Sequence, residues 1–181
     1  MKKCKKCGGQ HVSTAVLPEY NGNLVGAPFS VTIEGAVIQE SCGNCGIILS
    51  VGIPNLQGLI AAIAMTRAMC PQKLNGQEIR FLRAAAGWKA AQLAEKIGVD
   101  PATVSRWETG VQPISESYEK HLRLFVCVSL WKAAPLADFC PEKLVNLKID
   151  PARSANSNLA LRCWPVPSEA GNEKWSFAPA A

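Results

Sequence analysis

The chain lacks a long hydrophobic run, an apolar stretch behind its first residues, and a strong excess of either charge. Its longest apolar stretch, Leu59 to Met65, is far shorter than the roughly 20 residues a membrane-spanning helix needs. The start, Met1-Lys2-Lys3-Cys4-Lys5-Lys6-Cys7, places a cysteine pair where a secretion signal would carry its apolar core, so a cytoplasmic location is expected. Nineteen Lys and Arg against fourteen Asp and Glu give a net charge of only +5. That balance permits a phosphate-binding face without demanding one. No internal repeat is visible, and 181 residues bound the answer to one or two compact units.

Cysteine is abundant, with eight residues. Without export the thiols are expected to stay reduced, and paired cysteines then read as metal ligands. Cys4-Lys-Lys-Cys7-Gly8-Gly9 and Cys42-Gly-Asn-Cys45-Gly46 are two copies of one device. In each, two cysteines flank a tight turn, and the glycine after the second can take a positive φ that aims amides at the thiolates. Together they offer four thiolates to one structural Zn²⁺, with Cys4, Cys7, Cys42 and Cys45 as the expected ligands. Such a set leaves no open position for water or substrate, which argues against zinc catalysis. No βαβ setting supports a thioredoxin-type redox pair, so no enzymatic activity is expected. His11 lies near the first knuckle and reads as an ordinary loop histidine. Cys127, among Leu124, Phe125, Val126 and Val128, reads as core.

Composition divides the chain into a zinc-ribbon module of short strands at 1–52, a linker helix at 53–72, a helical domain at 73–135, and a poorly ordered tail at 136–181. The fold class expected is mainly α with a small β zinc ribbon ahead of a four- to five-helix domain. Strand signals are Val31-Thr32-Ile33 and Ala36-Val37-Ile38. Leu56, Leu59, Ile60, Ile63 and Ala64 repeat at helical spacing until Cys70-Pro71. The tail scatters Pro141, Pro151, Pro165, Pro167 and Pro179 among polar residues, and its Trp164, Trp175 and Phe177 are unusual for disorder.

The helical domain carries the sharpest signal. Asn75 and Glu78 form a capping box before Ile79, Leu82 and Ala86, and Gly87 closes that helix. In the next pair, Ala94 permits close approach, Gly98 turns the corner, and Val104 and Trp107 fill the angle. Leu93, Ile97 and Val99 complete the seam. Asp100 and Pro101 open the second helix of the pair and Gly110 ends it. Ser115 can cap a further helix with Tyr118, Leu122, Phe125 and Ser129 on one stripe. This joint spacing is that of a helix-turn-helix.

Residues 76–125 resemble the phage-repressor (Xre/Cro) helix-turn-helix family, whose signature ends here as Val104-Ser-Arg-Trp-Glu-Thr-Gly110. The resemblance implies an ion pair between Arg83 and Glu108 that belongs to the scaffold. With the cysteine knuckles included, residues 1–130 are similar to antitoxins of the MqsA/YgiT type. That similarity implies a zinc half that contacts a toxin protein and a helical half that dimerises and represses its own operon. Relatives usually carry an amide side chain where Ala102 stands.

In such a domain the helix 101–109 enters the major groove. Ala102, Thr103, Ser105 and Arg106 are the expected base contacts, with Arg106 able to fork onto a guanine. Lys89, Gln92, Thr109 and Gln112 are placed for phosphates. One domain reads one half-site, so a homodimer on a palindromic double-stranded operator is expected, with segments 56–68 and 115–133 as candidate dimer surfaces. The function expected is a sequence-specific repressor, as an antitoxin or otherwise. The alternative is a protein-interaction module whose zinc ribbon binds a partner while DNA binding is auxiliary.

Overall fold

A computed structural model describes residues 3–21, 26–134, 139–151, 160–166 and 174–179. In chain order the elements are β1 (Val12–Asn21), β2 (Ser30–Cys42), β3 (Ile48–Gly52), α1 (Leu56–Met69), α2 (Gly76–Ala85), α3 (Ala90–Ile97), α4 (Pro101–Thr109), α5 (Glu116–Leu130), α6 (Pro141–Val145), β4 (Ala160–Val166) and β5 (Lys174–Pro179).

Local chemistry sets the helix ends. Asn55 caps α1 by accepting from the Gly58 amide at 3.1 Å, and α1 stops at Cys70, before Pro71. Asn75 and Glu78 close a reciprocal box at the start of α2. Asp100 accepts from the Ala102 amide at 2.7 Å, Pro101 occupies the first turn of α4, and Ser115 caps α5. The helix at 56–69 is more than a linker: Leu59 and Ala61 to Ala68 are all buried. It packs against α2, α5 and β5. On α5 the buried face runs through Glu119, Leu122, Arg123, Val126, Cys127 and Leu130. That leaves Tyr118 and Ser129 exposed, one step round from the expected stripe.

The 13-residue β2 is the spine of a five-stranded sheet in the order β1-β2-β4-β5, with β3 on the far half of β2. β1 and β3 pair with β2 antiparallel, whereas β4 pairs in parallel, Ser30 to Ala160 through Ile33 to Cys163. β5 closes the edge antiparallel to β4. The expectation of a poorly ordered tail over 136–181 is therefore corrected for the described part of it. α6, β4 and β5 are regular elements, Leu161 and Cys163 are fully buried, and Trp175 donates its indole N–H to the Asn55 carbonyl at 3.1 Å. Residues 136–138, 152–159, 167–173 and 180–181 of that tail, and the Phe177 side chain, lie outside the described residues. The small zinc ribbon expected from the sequence is thus part of a larger sheet that the C-terminal strands complete.

One apolar cluster extends from Val31, Ile33 and Val37 through α1 to Leu93, Val104 and Trp107. Beneath it lies a polar network that binds α1, α2 and α5. Arg67 pairs with Glu78 at 2.6 and 2.8 Å and donates to the carbonyls of Gln72 and Lys73. Arg123, fully buried, pairs with Glu119 and donates to the carbonyls of Ala68, Cys70 and Gln72. Glu119 also accepts from the Leu74 amide at 2.9 Å. Buried charges persist only when paired, as both guanidiniums are here, although Glu119 Oε2 has no partner among the described residues.

At the other end of β2 the sheet leaves the core. β1 reaches the apolar cluster through Leu17 and Tyr20, and beyond them the hairpin residues are largely exposed. At about 3.3 Å per residue β2 spans roughly 40 Å, so its Cys42 end stands well away from the Ser30 end. Near that second end, Phe29 packs edge-on against Phe81 of α2.

Candidate metal cluster and helix-turn-helix

The two cysteine turns close in the same way. The Gly8 amide donates to the Cys4 carbonyl and the Gly46 amide to the Cys42 carbonyl, each at 2.8 Å, and both glycines have φ of 71°. The turns interlock: His11 covers Gly43, where a Cβ would lie 2.1 Å from the imidazole, and Asn44 covers Gly9. Sequence reasoning placed His11 in a loop but missed this packing role.

The four sulfurs all lie within 4.8 Å of one another. Cys4 and Cys45 approach to 3.7 Å, and Cys7 and Cys42 to 3.5 Å. A tetrahedral thiolate site with metal–sulfur bonds of about 2.3 Å has edges of about 3.8 Å, so the spacing fits one ion. The electrostatics fit as well. Backbone amides of Cys45 and Asn44 pull the Cys42 thiol down to about 6. Those of Cys7 and Lys6 lower Cys4. Although the Gly9 amide favours its thiolate, Cys7 is pushed up to about 12 by the adjacent Cys42, Cys45 and Cys4 sulfurs. A cation at the centre removes that conflict by favouring all four thiolates.

The cysteines outside the cluster are different. Cys127 and Cys163 are buried, and burial pushes each thiol up to about 12.

The helix-turn-helix is α3 followed by α4. Gly98 turns the corner in the left-handed region, at φ 71° and ψ 41°. Ala94, Leu93, Val104 and Trp107 are buried in the angle, and Trp107 packs on Tyr118 with ring centroids 5.5 Å apart. Arg83 of α2 grips Glu108 at the end of α4 with a two-bond fork, at 2.5 and 3.1 Å, and its remaining nitrogen donates to the Trp88 carbonyl. The structure thus brings together the two residues that the resemblance pairs. Gly76 was missed as a contact: a Cβ there would sit 2.5 Å from the Glu108 carbonyl oxygen. A glycine directly after an N-cap has no helical reason, and that was the available signal.

α4 presents Ala102, Ser105 and Arg106 to solvent, beside Thr109. Thr103 is half-buried on the flank and lines a groove with Trp107, Gln112 and Tyr118. Lys89 and Gln112 are exposed. Gln92 and Thr109 are exposed as well but locally engaged: Gln92 accepts from the Lys89 amide at 2.7 Å, and Thr109 donates to the Ser105 carbonyl at 2.9 Å.

No helix among the described residues is long and apolar enough to cross a membrane. No curated protein and no solved structure matches the chain. A helix-turn-helix family model matches residues 79–118, from within α2 to the first turn of α5. The chain therefore carries a helix-turn-helix domain beside a four-cysteine cluster that could hold a metal ion, and that domain supports a DNA-binding transcription regulator.

Proposed function

We propose that this protein is a cytoplasmic, dimeric transcriptional repressor that reads a palindromic operator with α4, and that its cysteine cluster holds one structural Zn²⁺. The observation that carries the reading is the outward face of α4. Val104 and Trp107 are locked inward, Arg83 fixes the far end through Glu108, and Arg106 is exposed. A rigid helix whose free face carries an arginine without a partner among the described residues is the means of reading a guanine in the major groove. Ala102 offers a methyl to thymine, Ser105 and Thr103 offer hydroxyls, and Lys89, Gln92, Thr109 and Gln112 flank the helix for phosphates. The role proposed for the metal is structural, with no catalytic step.

Of the two candidate dimer segments, 56–68 is mostly buried within the chain, so the reading places the contact on 115–133, where Val128 and Trp131 are half exposed. Selection of bound duplexes from a random pool tests the reading. The expected product is a palindrome with half-sites about 10 base pairs apart, and recovery of unrelated sequences would refute it.

The antitoxin role rests on the family resemblance. A second reading, a partner-binding zinc module, draws support from one observation. The knuckle end of the sheet exposes Val16, Ile38, Ile48 and Val51, more apolar surface than a free arm needs. A small toxin encoded in the neighbouring gene, neutralised on co-expression, would favour the antitoxin role. A toxin still bound after loss of residues 74–181 would assign the contact to the zinc half.

A further inference from the structure

One groove lies away from both α4 and the cysteine cluster, and neither the metal site nor the DNA-reading helix uses it. It has a volume of about 650 Å³ and runs between the loop at 26–28, α1 and α2. Its floor is one complete face of α2: Gln77, Arg80, Phe81, Ala84 and Ala85 fall at positions i, i+3, i+4, i+7 and i+8. No other helix covers this face among the described residues. Ile60 and Pro28 form apolar walls, and Gln57 adds a polar group from α1.

The polar groups of the groove are exposed and are not used by the fold. Among the described residues, Arg80, Gln77 and Gln57 make no ion pair or side-chain hydrogen bond. Of the other arginines on α1 to α5, Arg67, Arg83 and Arg123 are committed to Glu78, Glu108 and Glu119, and Arg106 on α4 shares with Arg80 the lack of a partner among the described residues. A guanidinium fork with two amides beside an apolar floor matches the general form of a small-molecule site, in which a few polar groups orient a mostly apolar ligand. The fork prefers a carboxylate, which it can hold in two parallel bonds. The floor from Gln77 to Ala85 is about 12 Å long at 1.5 Å per residue, enough for a six- to eight-atom apolar body.

We propose that this groove binds a small monocarboxylate, with its carboxylate on Arg80 and its aryl or alkyl body over Phe81, Ala84 and Ala85. Such a ligand would bear on α2 one turn before Arg83, the residue that holds the end of α4. It would also press on a helix whose Gly76 end touches the Trp107 and Glu108 carbonyls without room for a methyl group. The site does not depend on the DNA-reading proposal, because ligand binding is measured without DNA.

The test uses the full zinc-loaded chain and the probe 4-phenylbutyrate, followed by titration calorimetry and by methyl NMR with labelled alanine. The expected result is saturable binding at about millimolar concentration or below, with the Ala84 and Ala85 methyl signals shifting. Arg80→Ala, on an exposed position, should fold normally and weaken binding about 10- to 100-fold, as should replacing the probe with its neutral amide. Ala84→Trp should fill the groove and abolish binding. Binding that is unchanged in Arg80→Ala or equal for the amide would overturn the proposal. So would an absence of saturable binding, or shifts confined to alanines outside the groove.

Discussion

Replacing Arg123 with methionine tests the internal architecture most severely. The guanidinium is fully buried and makes five hydrogen bonds, two to Glu119 and one each to the carbonyls of Ala68, Cys70 and Gln72. Without it, Glu119 remains fully buried with its Oε1 bonded only to the Leu74 amide, and its Oε2 already lacks a partner among the described residues. Stranding one member of a buried pair costs about 3–5 kcal/mol, a large share of a domain stability of about 5–15 kcal/mol. With a urea dependence of about 2 kcal/mol per molar, the midpoint should fall by about 2 M. Much of that loss is the isolated charge, not the missing bonds. Arg123→Met combined with Glu119→Leu should therefore recover about half of it, though the Leu74 amide and the Ala68 and Cys70 carbonyls lose their partners while Gln72 keeps Arg67. Urea unfolding followed by circular dichroism on the zinc-loaded chain measures both. A shift below about 0.5 M for the single variant, or a double variant no better than the single, would refute this account of the network.

Removal of the proposed zinc should act locally. A chelator is expected to free four thiols and unfold the knuckle end of the sheet, around 3–16 and 38–52, while the core half of β2 and the helices from α2 to α5 keep their circular-dichroism signal; loss of all structure would contradict that separation. Trp175→Ala should cost about 3 kcal/mol, because the indole is buried and bonded to the N-cap of α1, and thermal unfolding checks this. The thiols of Cys127 and Cys163 ordinarily titrate near 9 and are pushed up to about 12 in the fold. Since the folded form resists losing these protons, their contribution to stability is intact below pH 9 and falls as pH rises from about 9 to about 12. Cys127→Val should flatten that decline, and an unchanged slope in alkaline denaturation would refute the assignment.

The parts legible from sequence were those specified by neighbours in the chain. Asn75 with Glu78, Asp100 with Pro101, Gly98 and Gly110 are local devices, and each marks a boundary that the structure keeps. The two cysteine turns were legible for the same reason. What escaped notice depends on distant partners. β4 and β5 are short and carry Pro165 and Pro179; β4 joins the sheet through β2, more than a hundred residues earlier, and β5 pairs on β4. Glu119 and Arg123 stand four apart on a helix, the spacing of an ordinary solvated pair. The end of α1 and the loop at 70–74, folding over them, make them core. Thr103 was expected outward because it is polar, but α5 comes close enough to make its flank a groove wall.

The central claim is that α4 reads sequence through Arg106. The most direct measurement is the affinity of wild-type and Arg106→Ala protein for the selected palindrome and for a scrambled duplex, at one salt concentration, by fluorescence anisotropy. A lost bidentate guanine contact is worth about 1–3 kcal/mol, so the palindrome should lose about 5- to 150-fold while the scrambled duplex changes by less than about threefold. An equal loss on both would make Arg106 a phosphate contact. A wild-type protein that does not distinguish the two duplexes would contradict sequence reading by this helix altogether.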